Sequence, residues 1–474
     1  MNPYLLIDFG STYTKLTAVD LDRPRVLGTA SANTTVADGL SAGFQEALAR
    51  LEKAIGPVRY EKRLAASSAA GGLKIIAVGL VPELTVAAAK QAALGAGGRV
   101  LKAYGFELTA ADCLEMADFQ PDLILLAGGT DGGNQQILLH NSGLLAQSEL
   151  AAPIIIAGNR SATPQAAAKL AASGKVCYQA PNVLPRLGEL NTVPVQRRIR
   201  EIFLERIIHA KGLDRVEQFI DGIIMPTPAA VLDAAVCLAD GAGGNAGWGE
   251  LLLVDVGGAT TDVHSVAAGL PTRANVSLRG LPEPRVKRTV EGDLGMRYSA
   301  GALADVFALE QIAGLAQLPV DVVAAGIERR CAATDFLPEQ PAEVTLELTL
   351  GFLAVKGAVE RHVGHLEQNF TPAGPIWVQT GKDLTNVAKV IGTGGILAHQ
   401  PQSRRIVAGA LAEPAAPDIL KPARAELVID RHYLIPTLGL LVKEFPEVAF
   451  TLLTAALSAK NNAASEVNGK VNDV

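Results

Sequence analysis

Two short apolar runs, one near the start of the chain and one just past its middle, each carry an aspartate. Leu251–Val256 has five apolar residues out of six with no alternation, which predicts a strand covered on both faces, and a second extended segment begins at Thr260. An unpaired carboxylate is costly inside such a run, so Asp255 needs a partner such as a cation. Leu5–Lys15 has the same design, with Asp8 at the end of its apolar run.

Glycine and hydroxyl residues follow the second run. Gly257 and Gly258 have no Cβ atom, so their backbone N–H groups can approach an anion closely. Thr260 and Thr261 add hydroxyl donors, and Asp262 adds a second carboxylate. Carboxylates beside phosphate-binding amides predict a nucleotide that is held through a divalent metal ion.

The two runs align with each other at an offset of about half of the 474-residue chain. The matching positions are Asp8 and Asp255, Gly10 and Gly257, Thr14 and Thr261, and Lys15 and Asp262. Either loop alone is explained equally well by an ordinary strand and turn as by a phosphate loop. The pair at this spacing favours two phosphate loops. The chain is therefore predicted to be α/β, with duplicated domains that flank a nucleotide cleft.

Alternating strand and helix patterns with short Gly and Pro connections predict a mostly parallel sheet in the first half. The most distinctive segment there is Asp122–Asn134, in which a buried strand ends in two Gly-Gly pairs around Thr130 and Asp131. Ligands of open α/β sheets gather beyond the carboxyl ends of the strands, where this loop should lie. A tight strand-to-helix turn is the alternative interpretation.

Three segments after residue 240 have less distinctive patterns. Gly241–Gly249 follows a helix and precedes a strand, which indicates a flexible connection and not a dinucleotide fingerprint. Val290–Arg297 is either a charge-balanced loop or a part of the cleft. Leu348–Leu366 is predicted to be a helix with His362 and His365 on one face; no further ligand motif accompanies them, so core or surface roles are favoured over metal binding.

The two loops resemble the phosphate loops of the actin-like ATPase superfamily, whose fold is ribonuclease H-like. Val390–Leu397 is similar to the adenosine motif of that superfamily, and Met225–Leu238 and Leu438–Leu453 are similar to its two connecting helices. All five elements occur in the superfamily's order. One departure is Ala259, where many relatives have a third glycine.

The resemblance implies that ATP and Mg²⁺ are the cofactors and that they bind between the halves. The residues implied to bind the nucleotide are Gly10, Ser11, Thr12, Thr14, Lys15, Gly257, Gly258, Ala259, Thr260, Thr261, Gly392, Gly394 and Gly395. The residues implied to hold the metal ion through its waters are Asp8, Asp255 and Asp262. The candidate catalytic carboxylates are Asp8, Asp255 and Asp131.

These elements divide the chain into five predicted segments. The first actin-like half covers residues 1–225, and a connecting helix with a Gly-rich linker covers 226–249. The second half covers 250–436 and a second connecting helix covers 437–458. The polar tail, residues 459–474, is predicted to be disordered.

Four motifs narrow the resemblance: Ser67–Lys74, Leu125–Asn134, Val254–Ser265 and Thr289–Arg297. Together they resemble the accessory proteins encoded beside adenosylcobalamin-dependent glutamate mutase and related carbon-skeleton mutases and aminomutases. The resemblance runs from Leu5 to about Leu453. It implies a chaperone-like ATPase whose protein partner is such a mutase, and which reactivates the mutase by driving the release of a damaged cofactor.

Two other classes of function compete with this one. A small-molecule kinase needs a carboxylate base beside the acceptor hydroxyl, for which Asp131 is a candidate. A reductive activator needs an iron–sulfur cluster held by cysteine thiolates. The four cysteines are scattered, which argues against such a cluster: Cys113, Cys177, Cys237 and Cys331. Asp262 and His264 resemble the start of a cobalamin-binding motif, but its glycine comes one position late, so no cobalamin site is predicted there.

Charge and cysteine usage restrict the partners and the compartment. The net charge of −6 gives no reason to expect nucleic acid or an anionic membrane as a partner. Scattered cysteines without a C-x-x-C pair indicate a reducing compartment, and the start of the chain lacks the basic segment of a signal peptide. The apolar runs are too short to span a bilayer. A cytoplasmic protein is therefore predicted.

Overall fold

A computed structural model describes residues 2–10, 12–34, 40–68, 73–210, 219–221, 224–372 and 374–458. The strands of the first part of the chain are β1 (Pro3–Phe9), β2 (Tyr13–Asp20), β3 (Arg25–Asn33), β4 (Lys62–Ser67), β5 (Lys74–Val78), β6 (Arg99–Tyr104), β7 (Leu123–Leu126), β8 (Ile154–Ile156), β9 (Cys177–Gln179) and β10 (Ile224–Pro226). The helices are α1 (Leu40–Ile55), α2 (Ala87–Gly95), α3 (Ala110–Asp118), α4 (Gln136–Gln147), α5 (Thr163–Ala172), α6 (Val193–Ala210) and α7 (Thr227–Asp240). A π-helical turn, Pro82–Val86, precedes α2.

The second part of the chain continues from α7. Its strands are β11 (Gly241–Ala242), β12 (Asn245–Ala246), β13 (Leu251–Val256), β14 (Thr261–Val266), β15 (Val276–Arg279), β16 (Val286–Glu291), β17 (His365–Thr371), β18 (Gly374–Thr380), β19 (Lys389–Thr393) and β20 (Glu426–Ile429). Its helices are α8 (Ala300–Phe307), α9 (Leu309–Ala316), α10 (Val320–Ala332), α11 (Pro341–His362), α12 (Gly395–His399), α13 (Ser403–Val407), α14 (Ile435–Leu438) and α15 (Pro446–Ala456), with 3₁₀ turns at Ala408–Ala410 and Gly439–Leu441.

Two five-stranded sheets have the same design. The first has the order β10-β4-β1-β2-β3, with β1, β2 and β3 antiparallel and β4 and β10 parallel to β1. The second has the order β16-β14-β13-β19-β20, with the same directions. Asp8 faces Lys15 across the first hairpin, and Asp255 faces Asp262 across the second. The α/β class and the duplication are therefore confirmed, and the arrangement is the one expected of an actin-like, ribonuclease H-like fold.

A third five-stranded sheet lies within the first half. Its order is β6-β5-β7-β8-β9, and all its strands are parallel. The predicted parallel sheet is thus this one, whereas the sheet that carries the first loop is mixed. Helices α2 to α5 alternate with its strands, and a capping box of Thr109 and Asp112 begins α3.

The two connecting elements pack between the duplicated sheets. Leu6 of the first sheet and Leu253 of the second share one buried cluster with Ala234 of α7 and Phe450 of α15. This shared core explains why both elements are so apolar. The first is a single helix, but the predicted second helix, Leu438–Leu453, is broken into α14, a 3₁₀ turn and α15, because Pro446 begins the last piece.

One local prediction was wrong. The predicted helix Leu348–Leu366 is α11, which ends at His362, while His365 begins β17, so the two histidines do not share a helical face. His362 has a core role: its Nε2 lies 2.8 Å from Oγ of Ser265. Part of the predicted flexible Gly241–Gly249 connection pairs as the short hairpin β11–β12.

No helix among the described residues is long and apolar enough to cross a membrane. The predicted disordered tail lies outside the described residues, and the five-segment division of the chain stays a prediction.

Candidate nucleotide site

A cavity of about 700 Å³ lies between the duplicated halves, and both hairpin loops form its walls. The predicted site residues that line it are Gly10, Thr12, Lys15, Asp255, Gly257, Gly258, Ala259, Thr260, Asp262 and Gly395. Two loops that lie about half a chain apart in sequence are therefore brought to one place.

The two loops have the same turn. The amide of Gly10 donates to the carbonyl of Tyr13 at 3.1 Å, and the amide of Gly257 donates to the carbonyl of Thr260 at 2.9 Å. A Cβ atom at Gly10 would lie 2.6 Å from the Tyr13 oxygen, and one at Gly257 would lie 2.9 Å from that of Thr260. Both turns thus need a residue without a side chain.

The loops also face each other. A Cβ atom on Gly258 would lie 3.7 Å from Oγ1 of Thr12, which belongs to the other half. A ligand with several phosphate groups can therefore contact both loops at once.

Asp8 lies buried behind the first loop. Its Oδ1 accepts a hydrogen bond of 2.6 Å from Thr227, the first residue of α7. Its Oδ2 is buried without a hydrogen bond among the described residues, although Nζ of Lys15 lies 3.9 Å away. Burial raises the pKa of Asp8, and the Lys15 charge and the Thr227 hydrogen bond oppose that rise. A buried, unsatisfied carboxylate oxygen is the kind of group that a cation stabilises.

Asp255 lines the cavity, and its pKa is raised to about 7. Burial is the largest cause, and the charges of Asp262, Asp8 and Asp430 add to it, while Lys15 opposes it. Several carboxylates that raise one another's pKa mark a place of concentrated negative charge, which favours the binding of a cation.

Asp262 has a different environment. Its Oδ1 accepts from Nε of Arg288 at 2.8 Å and from Nη2 at 2.5 Å, and its Oδ2 accepts from Oγ1 of Thr260 at 3.1 Å. The remaining Nη1 of Arg288 donates to the carbonyls of Leu94 and Gly98 in the first half. Asp262 is thus already paired with a cation of its own chain.

Direct metal ligation has no ready-made cluster here. Within the described ranges, no group of three or more His, Cys, Asp or Glu side chains is placed to hold a metal ion. Asp8 and Asp255 nevertheless fit an ion that keeps its own waters, because Asp8 has an unsatisfied oxygen and Asp255 lines the cavity.

The three glycines of the predicted adenosine motif have different roles. Gly392 lies inside β19, where a Cβ atom would overlap the side chain of Val407, and it does not line the cavity. Gly394 has φ of +119°, and a Cβ atom there would overlap the backbone of Val256. Gly395 begins α12 and lines the cavity, with no atom within 4 Å of its Cβ position. The first two glycines allow close packing, and only the third is open to a ligand.

Two predicted threonines point away from the cavity. Thr14 is buried, and its Oγ1 lies 3.1 Å from that of Thr34. Thr261 is buried and donates to the carbonyl of Leu294 at 2.6 Å. Neither lines the cavity. Ser11 lies outside the described residues.

Asp131 is not brought to this cavity. It follows β7 in the parallel sheet, where its Oδ1 accepts from the amide of Arg160 and from Nδ2 of Asn182, both at 3.0 Å. Nδ2 of the buried Asn159 bonds the carbonyls of the same loop, including that of Thr130 at 2.8 Å. The structure therefore favours the alternative interpretation of this segment, a tight turn that fixes its own backbone.

Arg297 and Tyr433 are among the cavity residues that the assignment of site residues did not include. Arg297 donates from Nη2 to Oε1 of Glu347 at 2.7 Å, and its amide donates to the carbonyl of Gly258 at 2.8 Å. The charged segment Val290–Arg297 was the signal for it. Tyr433 also lines the cavity, and no local pattern marked it.

Comparison with known proteins agrees with the motifs. A family model described as MutL protein matches residues 4–457. Protein MutL of Clostridium tetanomorphum is 45% identical over 456 residues, which cover 96% of this chain and 98% of that protein.

Two solved structures are more distant. Nucleotide-free acetone carboxylase has 13% identity and a TM-score of 0.42, over 93% of this chain and 70% of that chain. Diol dehydratase-reactivating factor in its nucleotide-free form has 12% identity and a TM-score of 0.36, over 93% of this chain and 99% of that chain. The sequence match extends over nearly the whole chain, so the family predicted from the motifs is confirmed, and the chain belongs to the MutL protein family.

Proposed function

We propose that this chain is an ATPase that binds ATP with Mg²⁺ between its halves and uses hydrolysis to reactivate an adenosylcobalamin-dependent mutase. The observation that carries the proposal is the pair of equivalent hairpins, Asp8–Lys15 and Asp255–Asp262, which face each other across one cavity. The motifs that predicted this family are those that resemble the accessory proteins of adenosylcobalamin-dependent mutases. Membership of the MutL family therefore supports a mutase as the partner protein.

The residues in and behind the cavity wall would have different roles in binding the nucleotide and the metal. Lys15 and the hydroxyl group of Thr12 would bind phosphate oxygens, and Gly395 would lie against the nucleoside. Asp8 and Asp255 would hold the metal through its waters. A bound Mg²⁺ would supply positive charge to the phosphates. Arg297, which Glu347 holds in place, would add a second positive charge at the loop of the second half.

Water is favoured as the phosphoryl acceptor over a metabolite. A kinase needs a carboxylate base beside the acceptor hydroxyl. The carboxylate considered for that role, Asp131, does not line the cavity. Release of a phosphorylated metabolite by the purified protein would favour the kinase alternative instead.

The test is Mg²⁺-dependent phosphate release from ATP by the purified chain. Asp255→Asn should lower the rate by about 10- to 100-fold, the usual effect of losing a group that hydrogen-bonds the ligands of a metal ion. Asp131→Asn is the matched control, since it also removes one carboxylate charge but outside the cavity. Equal rates for both variants and the natural chain would contradict the proposed site.

Hydrolysis can act on a partner because ATP and ADP differ in their contacts with the two loops. Moving an equilibrium between two arrangements of the halves from 1:99 to 99:1 takes about 5.5 kcal/mol of selective binding. We expect an inactivated mutase to regain activity with this chain, ATP, Mg²⁺ and fresh adenosylcobalamin, and not with the Asp255→Asn variant. Equal recovery without ATP would contradict the reactivating role.

A further inference from the structure

The ammonium group of Lys15 lies against an aromatic ring that comes from the other half of the chain. Its Nζ is 3.1 Å from the centroid of the Tyr433 ring, well inside the ~6 Å limit of a cation–π interaction. Oδ2 of Asp8 lies 3.9 Å from the same nitrogen. The Lys15 side chain is 22% exposed, so the ring covers much of a group that also lines the cavity.

The turn that carries Tyr433 is built around Asp430. This buried carboxylate accepts from the amides of Leu434 and Ile435, both at 2.9 Å, and from Oγ1 of Thr393, also at 2.9 Å. Tyr433 itself has φ of +51°, in the left-handed region that aromatic residues rarely adopt. Such a conformation persists only where its surroundings impose it, and strained residues cluster at functional sites.

Burial and nearby carboxylates have opposite effects on the pKa of Lys15. Burial lowers the pKa of Lys15, and the charges of Asp8, Asp255 and Asp430 oppose that fall. The Tyr433 ring and the Asp8 carboxylate lie beside the Lys15 nitrogen, at 3.1 and 3.9 Å.

We propose that Tyr433 is a positioning residue for Lys15. Its ring holds the ammonium group at the edge of the cavity, where the group meets the phosphates of the nucleotide. Because Lys15 belongs to the first half and Tyr433 follows the second sheet, the contact forms only while the halves are arranged as they are here. The proposal rests on the proposed function for the ligand, but not for the contact itself.

The first experiment is a double-mutant cycle on the Kd for ATP in the presence of Mg²⁺, measured by calorimetry. Tyr433→Phe keeps the ring and should stay within about threefold of the natural chain, whereas Tyr433→Leu should weaken binding about tenfold. In a Lys15→Met background, Tyr433→Leu should have no further effect. The same tenfold loss in both backgrounds would overturn the proposal.

The second experiment needs no nucleotide, so it also decides the matter if ATP is not the ligand. An amine-acetylating reagent is applied to the free protein, and the modified Lys15 peptide is quantified by mass spectrometry. Loss of the ring should speed acetylation of Lys15 several-fold, while Tyr433→Phe should leave it unchanged. Unchanged acetylation of Lys15 after loss of the ring would overturn the proposal.

Two variants control for folding. Tyr433→Asn removes the ring but favours a left-handed turn, so it replaces Tyr433→Leu if the leucine variant fails to fold. Phe106→Leu alters another aromatic residue with positive φ, +66°, which is 59% exposed and does not line the cavity. Acetylation of Lys15 should be the same in Phe106→Leu as in the natural chain, and faster acetylation there would overturn the assignment of the effect to Tyr433.

Discussion

Arg288 joins Asp262 to the opposite half of the chain. Its Nε and Nη2 bond one carboxylate oxygen of Asp262 at 2.8 and 2.5 Å, and its Nη1 bonds the carbonyls of Leu94 and Gly98 at 3.0 and 2.8 Å. Leu94 lies in the last turn of α2, and Gly98 directly precedes β6. One guanidinium therefore satisfies groups from both sides of the cavity.

We expect Arg288→Met to be strongly destabilising, because it leaves the Asp262 charge buried without its partner. Loss of one member of a buried ion pair costs about 3–5 kcal/mol. The measurement is the urea midpoint of unfolding. The control is Arg285→Met: Arg285 pairs with Asp240, but their side chains are 49% and 46% exposed, and such pairs contribute about 1 kcal/mol or less. Similar small shifts in both variants would contradict the expectation.

The duplicated hairpins could be predicted from sequence because the signal is local and occurs twice. The same hairpins also explain why two predicted residues do not line the cavity. Side chains alternate between the faces of a strand, so Lys15 and Asp262 line the cavity while their neighbours Thr14 and Thr261 do not. That alternation was readable in the sequence, and it separates both threonines from the residues that line the cavity.

The positions of Asp131 and Tyr433 could not be read from the sequence. The loop of Asp131 looks like a ligand loop, but it belongs to a separate parallel sheet, and local patterns do not say which sheet edge faces the cleft. Tyr433 reaches Lys15 across most of the chain length, through a turn that depends on the buried Asp430. Contacts of that range depend on the packing of whole sheets.

The glycines of the predicted adenosine motif should separate into structural and ligand-binding roles. We expect Gly394→Ala to lower stability by about 1–3 kcal/mol, since the residue has φ of +119° and its new methyl group would overlap Val256. Gly395→Ala should leave stability unchanged, because no atom lies within 4 Å of its Cβ position, but it should weaken ATP binding. Unfolding midpoints and calorimetry would measure the two effects. Equal loss of stability in both variants would contradict this division.

Glu347 should be a structural centre of the second half. Its buried carboxylate accepts from Nη2 of Arg297 and from Nε of Arg330, both at 2.7 Å. We expect Glu347→Gln to lower the unfolding midpoint and to weaken ATP binding, since Arg297 lines the cavity and would lose its charged partner. Glu367→Gln is the control, because Glu367 and its partner Arg279 are about half exposed. An unchanged midpoint in Glu347→Gln would be incompatible with this role.

Asp255 should make the stability of the nucleotide-free protein depend on pH near neutrality. Its pKa is raised from 3.8 to about 7, so the folded protein binds the proton more tightly than the unfolded chain does. The stabilisation is complete below the unfolded pKa of about 3.8 and is lost as pH rises towards 7, above which both states have released the proton. Asp255→Asn resembles the protonated form at every pH and lacks this dependence. We therefore expect the unfolding free energy of the natural chain to fall relative to that of Asp255→Asn between about pH 4 and 7, and then to stay level.

The measurement is urea unfolding of both proteins across that range without nucleotide or metal. A difference between the two proteins that is constant from pH 4 to 8 would show that the Asp255 carboxylate titrates alike in both states.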